Sequence, residues 1–296
     1  MMNQTTERPF YENWFIAFWE PQPVVRLELV RILAPLTVVL FLSSRIIHAD
    51  AWLSTDGFQV PALDGDWRQP LSIPAIPPWA AWSVAIVLAL TGLATSAGAF
   101  VRWTSPIFAA LMAYVTLADR LESFTVSKLG TVTAVALAVS PIGTRMSIDS
   151  WRRRRRDKTY VPPELCSGGS VRFFQISIPV FYFSSGCSKW AGDWVHDPLV
   201  LWSHLHDSYQ TWVSWFAANH VTAWMWSVMQ YTTLAFEVGA PLWFGLPWTR
   251  KYAMLYGMAM HTMIGLMFGP VIWFAILMIS LLFACFGPID RLRKFL

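Results

Sequence analysis

Long apolar runs along this chain are separated by short polar or charged segments. Eight runs approach the roughly 20 residues needed to cross a hydrocarbon layer of ~30 Å as helix: 27–47, 79–100, 103–118, 125–142, 172–190, 221–246, 252–268 and 270–287. The third and fourth are the shortest or most polar. Between the fifth and sixth, LVLWSHLHDSYQTWVSWF mixes apolar and polar positions too evenly for a span. It predicts a short helix lying in the membrane interface, placed to cover a cavity. Near the start, Phe10, Trp14, Phe15 and Phe18 can share one helical side before Pro21 breaks it, which predicts an interfacial N-terminal segment over 1–22. No basic, short apolar leader precedes it, so no cleaved signal is expected. No repeat of fixed period appears, and the whole of 1–296 reads as one domain.

Lysine and arginine sort the segments between these runs. With the N-terminus inside, inner segments carry Arg8, Arg26, Arg102, Arg145, Arg152 to Arg156, Lys158, Arg172, Arg250, Lys251, Arg291, Arg293 and Lys294, while outer loops carry only Arg68 and Arg120. Cytoplasmic loops retain basic residues, and adding or removing one span would scramble the sorting. The expected architecture is therefore an all-α, polytopic transmembrane bundle of about eight helices with both termini cytoplasmic. A basic inner loop covers 144–171 and a histidine-rich outer loop covers 191–220.

Composition supports the bilayer as solvent: 55% of residues are hydrophobic, 14% are charged, and 18 Trp and 20 Phe suit headgroup-level belts. Cys166, Cys187 and Cys285 form no CxxC pair, so no disulfide framework is expected. The run WRRRRRDK at 151–158 follows a span directly and reads as an anchor on anionic lipid rather than a nucleic-acid patch. Histidines 196, 204, 206 and 220 lack zinc-site spacings, and no metal is expected. Walker, GxGxxG, GxSxG and CxxCH motifs are missing.

Ionisable groups inside spans are costly and are functional candidates. Arg31 and Glu237 fall on the inner halves of spans one and six, which predicts an ion pair between them; Arg45 can snorkel. Lys189 ends span five, with Tyr182, Ser185 and Lys189 on one polar face at helical spacing. Desolvation there would disfavour its charged form, as a general base requires; snorkelling is the competing reading. His261, about eight residues from the outer end of span seven, lies ~12 Å deep at 1.5 Å per residue and needs a partner. That partner is either a hydrogen bond across helices near Gly257 and Gly265, or a ligand in an outward cavity with Lys189 at its rim.

The stretch from TRMSID through VRFFQISIPVFYFSSGCSKWAGDW to Glu237 and His261 resembles the HTTM domain, the membrane part shared with vitamin K-dependent gamma-carboxylases. The resemblance implies a reduced, vitamin K-like quinone, with Lys189 matching the lysine that deprotonates it. His261 would act as the orienting group, and Tyr182, Ser185, Trp190, Trp194 and Lys128 as substrate contacts. In that family, oxygen epoxidises the quinol while a glutamate side chain is carboxylated on the lumenal face. Three features depart from the family. Ser188 and the SFTVSKL run from Ser123 stand where carboxylases have a lysine and Asn-Asn-His, and the 296 residues hold no counterpart of the large substrate-docking domain. Bacterial HTTM proteins are diverse, and some similar ones belong to systems that mature secreted antimicrobial peptides. The alternative is thus a non-enzymatic bacterial inner-membrane factor for an exported peptide. The partners expected are membrane lipid and such a peptide or protein, with no nucleic acid; a transporter ranks last because no paired broken helices appear.

Overall fold

The computed structural model describes residues 18–58, 73–118, 125–206 and 210–289, and over these the chain is all-α. Its twelve described α-helices are α1 (Val24–Ile46), α2 (Ala49–Leu53), α3 (Pro78–Ala97), α4 (Val101–Ala118), α5 (Thr125–Ala138), α6 (Ile148–Arg156), α7 (Gly168–Trp190), α8 (Val200–His204), α9 (Trp212–His220), α10 (Ala223–Gly245), α11 (Pro247–Met267) and α12 (Ile272–Phe286). A two-stranded antiparallel piece pairs β1 (Gln22–Pro23) with β2 (Leu165–Cys166). Most of the expected interfacial segment 1–22, and the chain ends, lie outside the described residues.

Eight long helices correspond to the eight apolar runs, and successive ones reverse direction. Three are long and apolar enough by length and composition to cross a membrane: Pro78–Ala97, Val101–Ala118 and Gly269–Phe286. α5 is apolar but short, at 14 residues. Three of the remaining four, α1, α7 and α10, are 23 residues long. They carry charged or polar groups that bond inside the bundle, which lowers their hydropathy without exposing charge.

The helices form two groups. In one, α1 packs on α3 and α5, α4 lies against α3 and α5, and a core forms around Val38, Leu88, Phe108 and Met112. In the other, α7 packs on α10 and α11 on both α10 and α12; α12 also packs on α1 and closes the groups into one bundle. A smaller cluster of Leu205, Ala217, Trp226 and Met267 holds α8 and α9 over one end. The expected single interfacial helix is thus two short ones. α9 is fixed by Thr211, whose hydroxyl caps Ser214 N and donates to Leu266 O at 2.8 Å.

Charge separates the two ends. Arg26, Arg102, Arg145, the α6 arginines, Arg172, Arg250 and Lys251 all fall at the end where α1 starts and α3 finishes; Asp50, Asp56, Asp193 and Asp197 fall at the other. At the basic end, Arg26 donates to Ala284 O and Cys285 O, at 3.2 and 2.8 Å. These are terminal carbonyls of α12, where a cation also meets the negative end of the helix dipole.

The expected Arg31–Glu237 pair does not form. Arg31 is fully buried and bonds Glu28 Oε2 at 2.8 Å, three residues earlier on α1. Its other nitrogens cap α3 through Thr95 O and Ser96 O and hold Met146 O. Glu28 in turn accepts from Thr144 N at 2.8 Å. A local partner plus three backbone acceptors removes the need for a distant carboxylate.

α3 ends at Gly98, which has φ 72° and therefore needs no Cβ. An added Cβ would also lie 2.3 Å from that of Ser147. Gly98→Ala is expected to lower thermal stability by about 1–3 kcal/mol, combining left-handed strain with overpacking. Differential scanning fluorimetry of the purified protein checks this, and an unchanged melting temperature would contradict it.

Candidate functional site

At Gly186, α7 meets the backbone of α10 so closely that a Cβ would sit 2.7 Å from Val238 N. Glycine permits that approach, as small residues do between membrane helices. One turn further on, Lys189 Nζ reaches both oxygens of Glu237, at 2.5 and 2.6 Å. Trp194 adds its ring face 4.8 Å from the same nitrogen. Lys189 is one-quarter exposed and Glu237 nearly buried. The sequence left Lys189 as either a desolvated base or a snorkelling side chain; in the structure its ammonium holds a bidentate carboxylate.

Glu237 is level with Lys189 because α10 begins beyond the end of α7. The loop leaving α7 leans against the first turns of α10: Gln230, fully buried, donates to Trp194 O and Asp197 O at 2.8 and 2.7 Å and accepts from Leu201 N at 2.9 Å. Ser227 and Tyr231 hold Pro198 O and Val195 O. Counting depth from residue 221 puts Glu237 on the far half of its run, but the first turns of α10 lie beyond the end of α7, beside α8.

Lys189 lines a cavity of about 550 Å³, within the range of small-molecule sites. Its wall is mostly apolar: Trp226 and Met229 from α10, and Tyr256, Met260, Met263 and Met267 from α11. Leu201 and His204 of α8 close one side, as the predicted cover would. The α11 residues recur at helical spacing and share one face. Methionine adapts its shape to irregular ligands.

His261 is not in that wall. It lies about 140° around α11 from the methionine face at 3.6 residues per turn. Its Nε2 is 2.7 Å from the Tyr182 hydroxyl, both groups being buried. Phe236 and Phe244 pack on the Tyr182 ring and Phe274 on His261. This is the helix-to-helix hydrogen bond among the two readings of His261, tying α7 to α11. Tyr182 therefore braces the site and is closed off from the cavity. Ser185 and Trp190 are exposed on α7 and do not line it; Trp194 does. Lys128 is exposed on α5, which packs on α1 and α4 in the other helix group, so the fold does not bring it to Lys189.

Neither Cys166 nor Cys285 offers a nucleophile here, and Cys187, exposed on α7, does not line the cavity. Cys285 is buried, and burial pushes the Cys166 thiol up to about 11, leaving little thiolate near neutral pH. Among the described residues, no group of three or more His, Cys, Asp or Glu side chains could hold a metal ion.

Compared with known families, residues 19–287 match the model of the HTTM domain. No curated protein and no solved structure matches the chain.

Proposed function

The chain belongs to the HTTM domain family and is a membrane protein, and from that premise we propose a bacterial inner-membrane enzyme that binds a reduced isoprenoid quinone in the Lys189 cavity, with Lys189 as base. The observation that carries this reading is a charged pair, Lys189–Glu237, at the edge of a mostly apolar cavity. The residues present fit a quinol: a flat, apolar ring suits Trp226, Tyr256 and the methionines, and its hydroxyl suits the one cationic nitrogen in the wall. Once bound, a quinol would supply an acidic hydroxyl and reducing equivalents.

The chain's own groups handle the proton. Along the 2.6 Å hydrogen bond, Glu237 Oε2 can take a proton from the Lys189 ammonium, which frees the Nζ lone pair to accept one from a hydroxyl in the cavity. Trp194 and Glu237 then hold the ammonium that forms. α8 and Gln230 fix the loop that covers the pair and limit water. With SFTVSKL in place of Asn-Asn-His, the proposal rests on quinol oxidation and assigns no carboxylation step.

The test is turnover. Purified protein is given reduced naphthoquinone, oxygen and bicarbonate, and epoxide is followed by mass spectrometry. Epoxide above the protein-free rate supports the enzyme, and none under conditions where the quinol binds contradicts it.

The same proposal takes all eight long helices as spans, with the basic end in the cytoplasm. In a Cys187→Ser background, a membrane-impermeant maleimide added to intact cells should label Gly192→Cys, in the loop after α7, and spare Arg154→Cys on α6 until the cells are opened. The reverse pattern would invert the topology.

A second reading has its own observation. Trp212, Trp215, Phe216 and Trp224 of the outer layer are exposed, a surface able to hold an exported peptide during maturation. Such a factor would fail when these rings are removed and tolerate loss of the Lys189 pair.

A further inference from the structure

A second cavity lies at the basic end, between α4, α5 and α6, with a volume of about 520 Å³. Four arginines line it: Arg102 from the first turn of α4, and Arg152, Arg153 and Arg156 from α6. Two members of the same run do not; Arg154 and Arg155 lie outside the wall, Arg155 stacking over Trp151 at 4.0 Å. The fold thus selects part of a charge run and aims it at one space.

The one carboxylate in the wall is already engaged. Asp149 accepts from Phe100 N and Val101 N at 2.9 Å each, capping α4, and lies 3.9 Å from Arg152. Ser105 gives an independent sign of a missing ligand. It lines the cavity and is 2% exposed, yet its hydroxyl has no hydrogen-bond partner among the described residues. A buried hydroxyl left so is unfavourable, and an acceptor oxygen in the cavity would satisfy it.

The chemistry called for is a compact anion with several acceptor oxygens, a phosphate group above all, since guanidinium forks match its geometry. Position selects its source. The cavity opens at the end of α4, one of the three helices apolar enough to cross a membrane, and exposed Trp103 and Phe100 line it at headgroup level. We propose that this cavity seats the phosphodiester headgroup of an anionic phospholipid, with the arginines and Ser105 on the phosphate and Trp103 beside the acyl chains. This goes beyond general attraction of basic loops to an acidic leaflet, because it requires a particular subset of the arginines.

Native mass spectrometry of the full chain, released from mixed phosphatidylglycerol and phosphatidylcholine, tests it. Phosphatidylglycerol should be retained preferentially. Arg102→Gln/Arg153→Gln should reduce that retention about tenfold or more, while Arg154→Gln/Arg155→Gln, which removes the same charge, should change it less than about twofold. Ser105→Leu fills the floor without touching charge and should also reduce retention. Parental melting temperatures for the two arginine pairs would tie the loss to binding. Equal losses from both pairs, or no preference between the lipids, would overturn the site; displacement by glycerol phosphate at comparable concentration would overturn the lipid assignment in favour of a soluble phosphate.

Discussion

The double variant Lys189→Met/Glu237→Gln is expected to melt close to the parent yet to turn over naphthoquinol slower by a factor of about 10²–10⁴, the usual contribution of a positioned acid–base group. The pair has to be changed together because each partner compensates the other. Lys189→Met alone strands a carboxylate that is only 6% exposed, and breaking a buried pair costs about 3–5 kcal/mol. With Lys189 one-quarter exposed and open to the cavity, the lower end of that range applies. A single variant that is inactive because it is loosened would say nothing about chemistry, whereas neutralising both groups removes the stranded charge and the base together. The four members of the cycle, compared by melting temperature and by epoxide formation, separate these effects. Stability should be non-additive, the double variant recovering most of what Lys189→Met loses, while activity should stay low in every variant lacking Lys189. Turnover in the double variant within about tenfold of the parent would remove Lys189 from the role of base, since a positioned acid–base group contributes more than that. Were parent and variants alike to bind quinol without oxidising it, the exposed tryptophans of α9 would become the place to look.

Much of this architecture was legible in the alternation of apolar and basic segments, because that alternation is the physical requirement for repeated crossing of a bilayer. Each of the eight runs became a helix, the basic segments among the described residues gathered at one end, and the 191–220 loop yielded α8 and α9 near the cavity. Reach across the bundle was not legible. Glu237 was matched with Arg31 on depth estimated along single helices, but depth is shared between helices only when their ends are aligned. α10 starts beyond the end of α7, where Gln230 holds the loop that follows α7, and this offset brings Glu237 to Lys189. Gly186 was the available signal: a glycine one turn before Lys189 marks where α7 can approach a neighbour most closely. The methionine face of α11 was equally visible at its spacing, and it would have turned attention from His261 to the face that borders the cavity. Lys128 shared an apolar helix and a positive charge with better candidates, and only the separation of the bundle into two helix groups excludes it from the site.

Arg31→Met is expected to destabilise the protein by about 3–5 kcal/mol, a large part of the stability of most domains, although Arg31 does not line the Lys189 cavity. Its guanidinium is wholly buried and joins three pieces of chain: Glu28 on its own helix, the terminal carbonyls of α3 at Thr95 and Ser96, and Met146 before α6. Methionine fills much of the same volume but donates nothing. The loss would leave the Glu28 carboxylate, also fully buried, with only its bonds from Thr144 and the Arg145 amide, and would uncap α3. Arg31→Lys keeps the charge with a single nitrogen that cannot reach in three directions at once, and should recover roughly half of the loss. Arg31→Met/Glu28→Gln should also be milder than Arg31→Met, because the stranded charge is gone although the carbonyls remain uncapped. Denaturant unfolding in detergent, followed by tryptophan fluorescence, measures all three. If Arg31→Met unfolds within about 1 kcal/mol of the parent, below the penalty for an unpaired buried charge, the cluster is a passive contact and the α1–α3 junction is held by packing around Leu88 and Val38 and by the Ser96 hydroxyl on Ile32 O.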